Sequence, residues 1–286
     1  MKEYSLRKLL SDKRFLYPWL VVLVAIPYIR PIGLPVVAYP WTKAAYDTVE
    51  SIPEGSNVIV DTGFSPGSWA EQGAQGMALI SHTLRRNCKL VFLVDAQEPP
   101  GVMMAERIMK ELGPTVVDPR GKKYGVDWVN LGIVAGGVAA AAQLAQDFHA
   151  TVKYDTYGTS LKELPLTKNI RGVADFALIL LITTGRAFPL LEQWRIPYAK
   201  TIKIIVATMG MGLTTYIANW NAGIVNGLLS GIRGAAEYEA LTKNYGEATK
   251  GMDAVNLSHI FAVVLLFAGN ASFWIARTRK GKPKEA

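Results

Sequence analysis

The chain has 286 residues, half of them hydrophobic and only 19% charged, with a formal net charge of +8. That charge fraction lies below the roughly 25% of an average soluble chain, which raises a membrane contribution. The single cysteine, Cys88, excludes an internal disulfide framework and a thiolate-rich metal site.

The N-terminal residues 1–14 are basic, with Arg7, Lys8, Lys13 and Arg14. An apolar run, FLYPWLVVLVAIPYI (15–29), follows, then Arg30, Pro31 and a second apolar stretch. If Arg30 snorkels, residues 15–37 reach spanning length and are expected to form a transmembrane or membrane-anchor helix. No small-x-small cleavage site follows closely, so an uncleaved anchor is expected, with a re-entrant or interfacial helix as the alternative.

Residues 40–250 read as an α/β domain. Strand candidates are 57–64, 89–96, 125–134, 175–185 and 201–209. Helical patterns at 68–86, 100–112, 136–149, 189–195 and about 214–241 alternate with them. Strands apolar on both faces and separated by helices imply a mostly parallel sheet of about five strands. A Rossmann-like or flavodoxin-like sandwich is expected. Residues 204–232 carry no charge over 29 positions, but their Asn, Thr and Gly content fits a strand, a turn and a packed helix better than a span. The longest irregular connection, 150–173, is of a length usually reserved for function or docking.

Residues 254–276 contain no Asp, Glu, Lys or Arg and are long enough to cross a hydrocarbon core. Asn270 within them is expected to face a neighbouring helix. The tail 277–286 is basic. Both outer flanks are therefore positive, and the inner flanks carry scattered charge such as Lys43 and Lys250. This places both termini in the cytoplasm and the α/β domain outside it, in a cell membrane. Positive charge clustered beside apolar segments, with no interleaved basic and aromatic stripe, argues against nucleic acid.

In such a sheet, ligands bind beyond the carboxyl ends of the strands. Asp61 and Asp95 end the first two strands, Thr183 and Thr184 the fourth, and Thr208 the fifth; Ser65 lies in the loop after Asp61. Two neighbouring carboxylates suit a divalent cation or paired acid and base roles. The plainer reading is that each Asp terminates a strand or caps a turn. Ser68 and Glu71 match the capping box S-x-x-E. No dinucleotide fingerprint, Walker A loop, nucleophile elbow or zinc spacing is present. His82 reads as a helix-face histidine, and His149 as the close of a helix. Gly223, Gly227 and Gly231 are spaced by four, which on one helix would make a smooth face to pack on the sheet or, alternatively, to form a subunit interface.

Several stretches together, YGVDWVNLG (124–132), GG (136–137), DFH (147–149), LPL (164–166) and RGAAEYE (233–239), resemble a family of prokaryotic membrane-anchored α/β proteins to which no activity is attached. The resemblance implies one continuous domain that includes the 150–173 connection, and it assigns no catalytic residue. Asp127, Asn130 and Glu237 fall within it and are site candidates on spacing. The expected function is a membrane-anchored binding or assembly protein, a self-associating subunit of a larger complex in the lipid bilayer. A metal-assisted enzyme on a small polar substrate and a ligand sensor are the alternatives.

Overall fold

A computed structural model describes residues 12–113, 121–184, 193–194 and 202–280. The chain divides into two compact units, Met1–Pro35 with Thr249–Ala286, and Val36–Ala248.

The larger unit is built on six parallel strands. They are β1 (Asn57–Asp61), β2 (Lys89–Asp95), β3 (Trp128–Val134), β4 (Leu178–Thr183), β5 (Lys203–Thr208) and β6 (Gly227–Ser230). The order across the sheet is β3-β2-β1-β4-β5-β6. This is the Rossmann order rather than the flavodoxin one, with the reversal between β1 and β4. The strands are buried along nearly their whole length, as parallel sheets covered on both faces require.

In chain order the helices are α1 (Lys13–Ile29), α2 (Pro40–Ser51), α3 (Ala74–Arg85), α4 (Gly101–Leu112), α5 (Gly137–Gln146), the single turn α6 (Phe148–Thr151), α7 (Leu213–Asn221), α8 (Gly231–Thr242) and α9 (Glu247–Lys280). One face of the sheet packs Ile59, Leu93, Leu181 and Val206 against Leu144, Phe148, Trp194 and Tyr216. The other packs Val60, Phe92, Leu180 and Ala207 against Val49, Leu79, Ile108 and Tyr238. The 150–173 connection belongs to the first layer, since Leu161, Leu166 and Ile170 are buried in that cluster.

The sequence pattern had five strands and a helix over 214–241. The structure interrupts that helix with a sixth strand. Gly223 takes φ +69° after α7, and Gly231 takes φ +60° as α8 begins. Gly227 lies in β6, where a Cβ would fall on the backbone of Ala45. The glycines spaced by four therefore occupy a turn, a strand and a helix start, and they do not form one helical face. The expected helix over 136–149 is split into α5 and α6, with Asp147 capping the second. Most of 189–195 lies outside the described residues.

A three-way tie joins α2, α3 and α8. His82 Nδ1 is 2.8 Å from the Tyr238 hydroxyl, and Nε2 is 2.9 Å from Glu50 Oε1. Burial pushes the Tyr238 phenol well above its usual range, so it keeps its proton and donates to Nδ1. Nε2–H then donates to the Glu50 carboxylate. Glu50 also accepts from Arg86 at 2.8 Å. Burial pushes the His82 pKa down, against the pull of Glu50, and the imidazole is held neutral below its ordinary value.

In the smaller unit, α9 contains the one stretch among the described residues long and apolar enough to cross a membrane, Glu247–Ile275, whose most apolar 18 residues have mean hydropathy 1.7. It begins seven residues earlier than the uncharged run suggests. Asn270 donates to the Leu266 carbonyl of its own helix at 2.9 Å, not to a neighbour. The expected N-terminal span over 15–37 is corrected to a 17-residue helix that stops at Ile29. At 1.5 Å per residue that is about 26 Å, short of a roughly 30 Å hydrocarbon core. Pro31, Gly33 and Pro35 account for the stop, since proline disfavours helix in the residue before it and lacks an N–H. The extended segment is held instead by Asp253, whose carboxylate accepts from the N–H groups of Ile32 (2.9 Å), Gly33 (2.8 Å) and Leu34 (3.0 Å).

The His82 tie sets a pH dependence. Above about pH 6.5 the imidazole is neutral in both folded and unfolded chains. Below that, the unfolded chain takes up a proton that the folded one resists, and stability falls. The full-length chain in detergent should lose denaturation free energy between pH 6.5 and 5, by no more than about 1.4 kcal/mol per pH unit for this one group. A His82→Gln variant, which keeps a donor and an acceptor, should show a flatter profile over that window. An unchanged slope would show that His82 does not set it.

Candidate functional site

The register of the sheet aligns the polar strand ends. Asp61 pairs with Leu93 of β2 and Leu181 of β4. Thr183 pairs with Thr208, and Thr208 with Ser230. Parallel partners point to the same face, and side chains alternate along each strand. Asp95, Asp61, Thr183, Thr208 and Ser230 therefore form one polar row on one face, across five adjacent strands. Asp95 lies two residues beyond Leu93, so the Cα atoms of Asp61 and Asp95 are roughly 8 Å apart, from a 4.8 Å strand spacing and a 3.3 Å rise.

The row centres on the reversal between β1 and β4. The Thr184 N–H donates to the Gly63 carbonyl at 3.3 Å. The Thr184 hydroxyl donates to Glu98 Oε1 at 3.2 Å, bringing the loop after β2 to the same point. The Thr62 hydroxyl donates to the Gly101 carbonyl at 2.9 Å, which seats the start of α4 against the end of β1. The floor of this crevice is buried; Asp61 is 1% exposed and Thr183 1%. Ser65, Asp95, Glu98 and Thr184 form a half-buried rim. The residues named here supply three carboxylates and no basic group.

The plainer role holds for Asp95 in part, because its Oδ1 accepts from the Gln97 N–H at 3.3 Å across a turn. The capping box does not form. Residues 66–68 make a 3₁₀ turn and 69–73 a π turn before α3, and Ser68 makes no side-chain cap. Glu71 reaches 139 residues along the chain to accept from the Gly210 N–H at 3.0 Å. π turns recur at functional sites, where they re-aim side chains. Here the turn buries Gln72, and Gln75 follows on α3. Gln75 Nε2 donates to the carbonyls of Thr208 (2.8 Å) and Gly231 (2.9 Å), tying α3 to the ends of β5 and β6. Both polar atoms of the Gln72 side chain, Gln75 Oε1 and Thr208 Oγ1 are buried with no hydrogen-bond partner among the described residues. Buried polar atoms in this state are rare in native structures, and each calls for a partner such as water or ligand.

The sequence pattern placed Asp61, Asp95, Thr183, Thr184 and Thr208 at this edge, with Ser65 in the loop, and the structure brings them to it. It missed Glu98, Thr62, Gly101, Gln72 and Gln75. Glu98 had a local signal, an acid in the Gln-Glu-Pro-Pro-Gly turn that starts α4; the glutamines had none. Three candidates serve the fold instead. Asn130 bonds the Val102 carbonyl, Glu106 and the Gly132 N–H. Asp127 accepts from the Lys123 N–H at 2.8 Å. Glu237 is fully buried between Arg233 Nε (2.9 Å), the Tyr39 N–H (3.1 Å) and the Thr42 hydroxyl (2.7 Å), so it fastens α8 to the start of α2. Among the described residues no three His, Cys, Asp or Glu side chains converge as a metal-binding group.

No family model, curated protein sequence or solved structure matches the chain.

Gly101 tests how tightly the crevice is assembled. A Cβ there would fall on the Thr62 carbonyl oxygen, a backbone atom that cannot rotate away. Gly101→Ala should lower stability by about 1–3 kcal/mol, the usual cost of overpacking. Denaturant titration checks this; a neutral result would mean that α4 is not seated on the end of β1.

Proposed function

We propose that the chain is a membrane-anchored binding protein whose α/β unit holds a small molecule bearing hydroxyl or ammonium groups at the carboxyl ends of β1 and β4. The observation that carries the reading is the strand reversal between β1 and β4 with Asp61 at the end of β1. In open α/β sheets, divergent loops at that point leave room for a ligand. Three carboxylates at one edge disfavour a bare phosphate or pyrophosphate by like-charge repulsion and favour a cation or a polyol. The rim residues Ser65 and Thr184 add hydroxyls, and the unmatched polar atoms of Gln72, Gln75 and Thr208 lie at the same end of the sheet.

Anchoring rests on α9. With α1 too short to span without thinning the bilayer or tilting neighbours, we read α9 as the single crossing and α1 as a membrane-surface anchor. The basic residues at and beyond the end of α9, Arg277, Arg279, Lys280, Lys282 and Lys284, favour a cytoplasmic C-terminal end. Self-association through a glycine face loses its geometric support, because the three glycines share no helix. Assembly with other subunits stays a separate outcome of the same experiment.

Native mass spectrometry of the full-length chain, extracted gently in detergent, tests the binding reading. A small-molecule adduct should accompany the wild-type chain. Asp61→Asn should lower its occupancy roughly tenfold or more, the loss of one charge-assisted contact. A wild-type chain carrying no adduct, or an adduct that both Asp61→Asn and Thr184→Val leave untouched, would sink the proposal. A defined oligomer without adduct would favour assembly instead.

A further inference from the structure

The connection between α5 and β4 builds a second polar site on the α/β unit. Asp147 caps α6, accepting from the Ala150 N–H at 2.9 Å, and Phe148 is buried beneath it. The chain then doubles back, with Tyr154 bridged to Ser160. Asp155 holds this turn. Its Oδ1 accepts from the N–H groups of Tyr157 (2.9 Å) and Thr159 (2.7 Å), and its Oδ2 from the Tyr124 hydroxyl (2.9 Å). The Thr156 N–H donates to the Asn130 carbonyl at 3.0 Å, so the turn covers the open edge of β3.

His149, Lys153, Tyr154, Ser160 and Lys162 line a cavity of about 210 Å³ beside this turn. The lining contains two ammonium groups and no carboxylate. Of the carboxylates nearest in sequence, Asp147 and Asp155 are engaged by the donors above, and Glu163, next to Lys162, is exposed and outside the lining. Among the described residues neither lysine makes an ion pair. Both ring nitrogens of His149 are shielded from solvent without a hydrogen-bond partner among the described residues. An imidazole so placed is costly unless a donor or acceptor reaches it.

We infer that this cavity binds a phosphate monoester, either free or as a lipid headgroup. A monoester carries about −1.5 to −2 charge near neutral pH, which two lysines balance. Ser160, Tyr154 and His149 supply further donors for its three oxygens. The lysines act as point charges and do not form a planar fork, which suits a tetrahedral anion. None of these five residues belongs to the acidic crevice, and the inference stands or falls independently of the reading of that crevice.

The chain has three histidines. Selective ¹⁵N-histidine labelling of the full-length chain in detergent therefore reports on His149, with His82 and His259 as internal references. Two probes are titrated at fixed pH and ionic strength, inorganic phosphate and short-chain phosphatidic acid below its micelle concentration. The expected result is a saturable shift of the His149 signals alone. The Lys153→Gln/Lys162→Gln double variant should bind roughly tenfold or more weakly, having lost two charge-assisted contacts, whereas Lys43→Gln should bind as wild type. Tighter binding of phosphatidic acid than of phosphate assigns the site to a headgroup, and equal binding to a free ester. Both lysines are exposed, and Lys162→Gln alone gives the same readout if the double variant loses its native circular dichroism. No saturable shift with either probe, or a shift that the lysine variants share in full, overturns the inference.

Discussion

Parallel strands cannot be joined by a tight turn, so each strand of this sheet needs a crossover lying on one face or the other. The first three strands step outward from β1 to β3. The chain then returns across the sheet through α5, α6 and the long 150–173 connection, and lays β4 against the other side of β1. Everything at the carboxyl edge depends on that return. The loops after β1 and β2 turn toward one layer of helices while the polar row faces the other. Asp61 is left where the connections after β1 and β4 diverge. The buried apolar strands hold the frame, and the hydrogen bonds of Thr184 to Gly63 and Glu98 fix how closely the loops approach.

Much of this frame was legible in the sequence, for a simple reason. A strand covered on both faces must be a short run of apolar residues, and its end is marked where polarity returns. Asp61, Asp95, Thr183 and Thr208 are such ends, so they could be placed before their neighbours were known. β6 was not legible. Its four residues lie in an uncharged stretch of 29, and a short apolar run does not distinguish strand from helix. What separates them is the positive φ of Gly223 and Gly231, which composition does not reveal. The capping box failed for a related reason. Glu71 satisfies a local pattern, yet its partner is the Gly210 N–H, brought near by β5. Gln72 and Gln75 carry no local signal at all, because their burial is set by strands that follow more than a hundred residues later.

The two polar sites of the α/β unit have opposite character. The crevice gathers Asp61, Asp95 and Glu98, whereas the cavity beside α6 gathers Lys153, Lys162 and His149. The net charge of +8 describes neither of them. Each site is defined by which side chains the return path brings together. The turn that closes the edge of β3 is also the wall of the basic cavity, so one segment both protects a sheet edge and presents charge. The acidic crevice lies where the crossover reverses direction, and its polar floor is built into the strands themselves.

The central claim is that ligand sits at the carboxyl ends of β1 and β4. Amide hydrogen exchange of the full-length chain as isolated, compared with Asp61→Asn, tests it most directly. The account predicts slower exchange in the wild-type chain for residues 62–68 and 98–101, with the interiors of the strands unchanged. Equal exchange in those two segments, or a difference confined to residues 153–162, would contradict it.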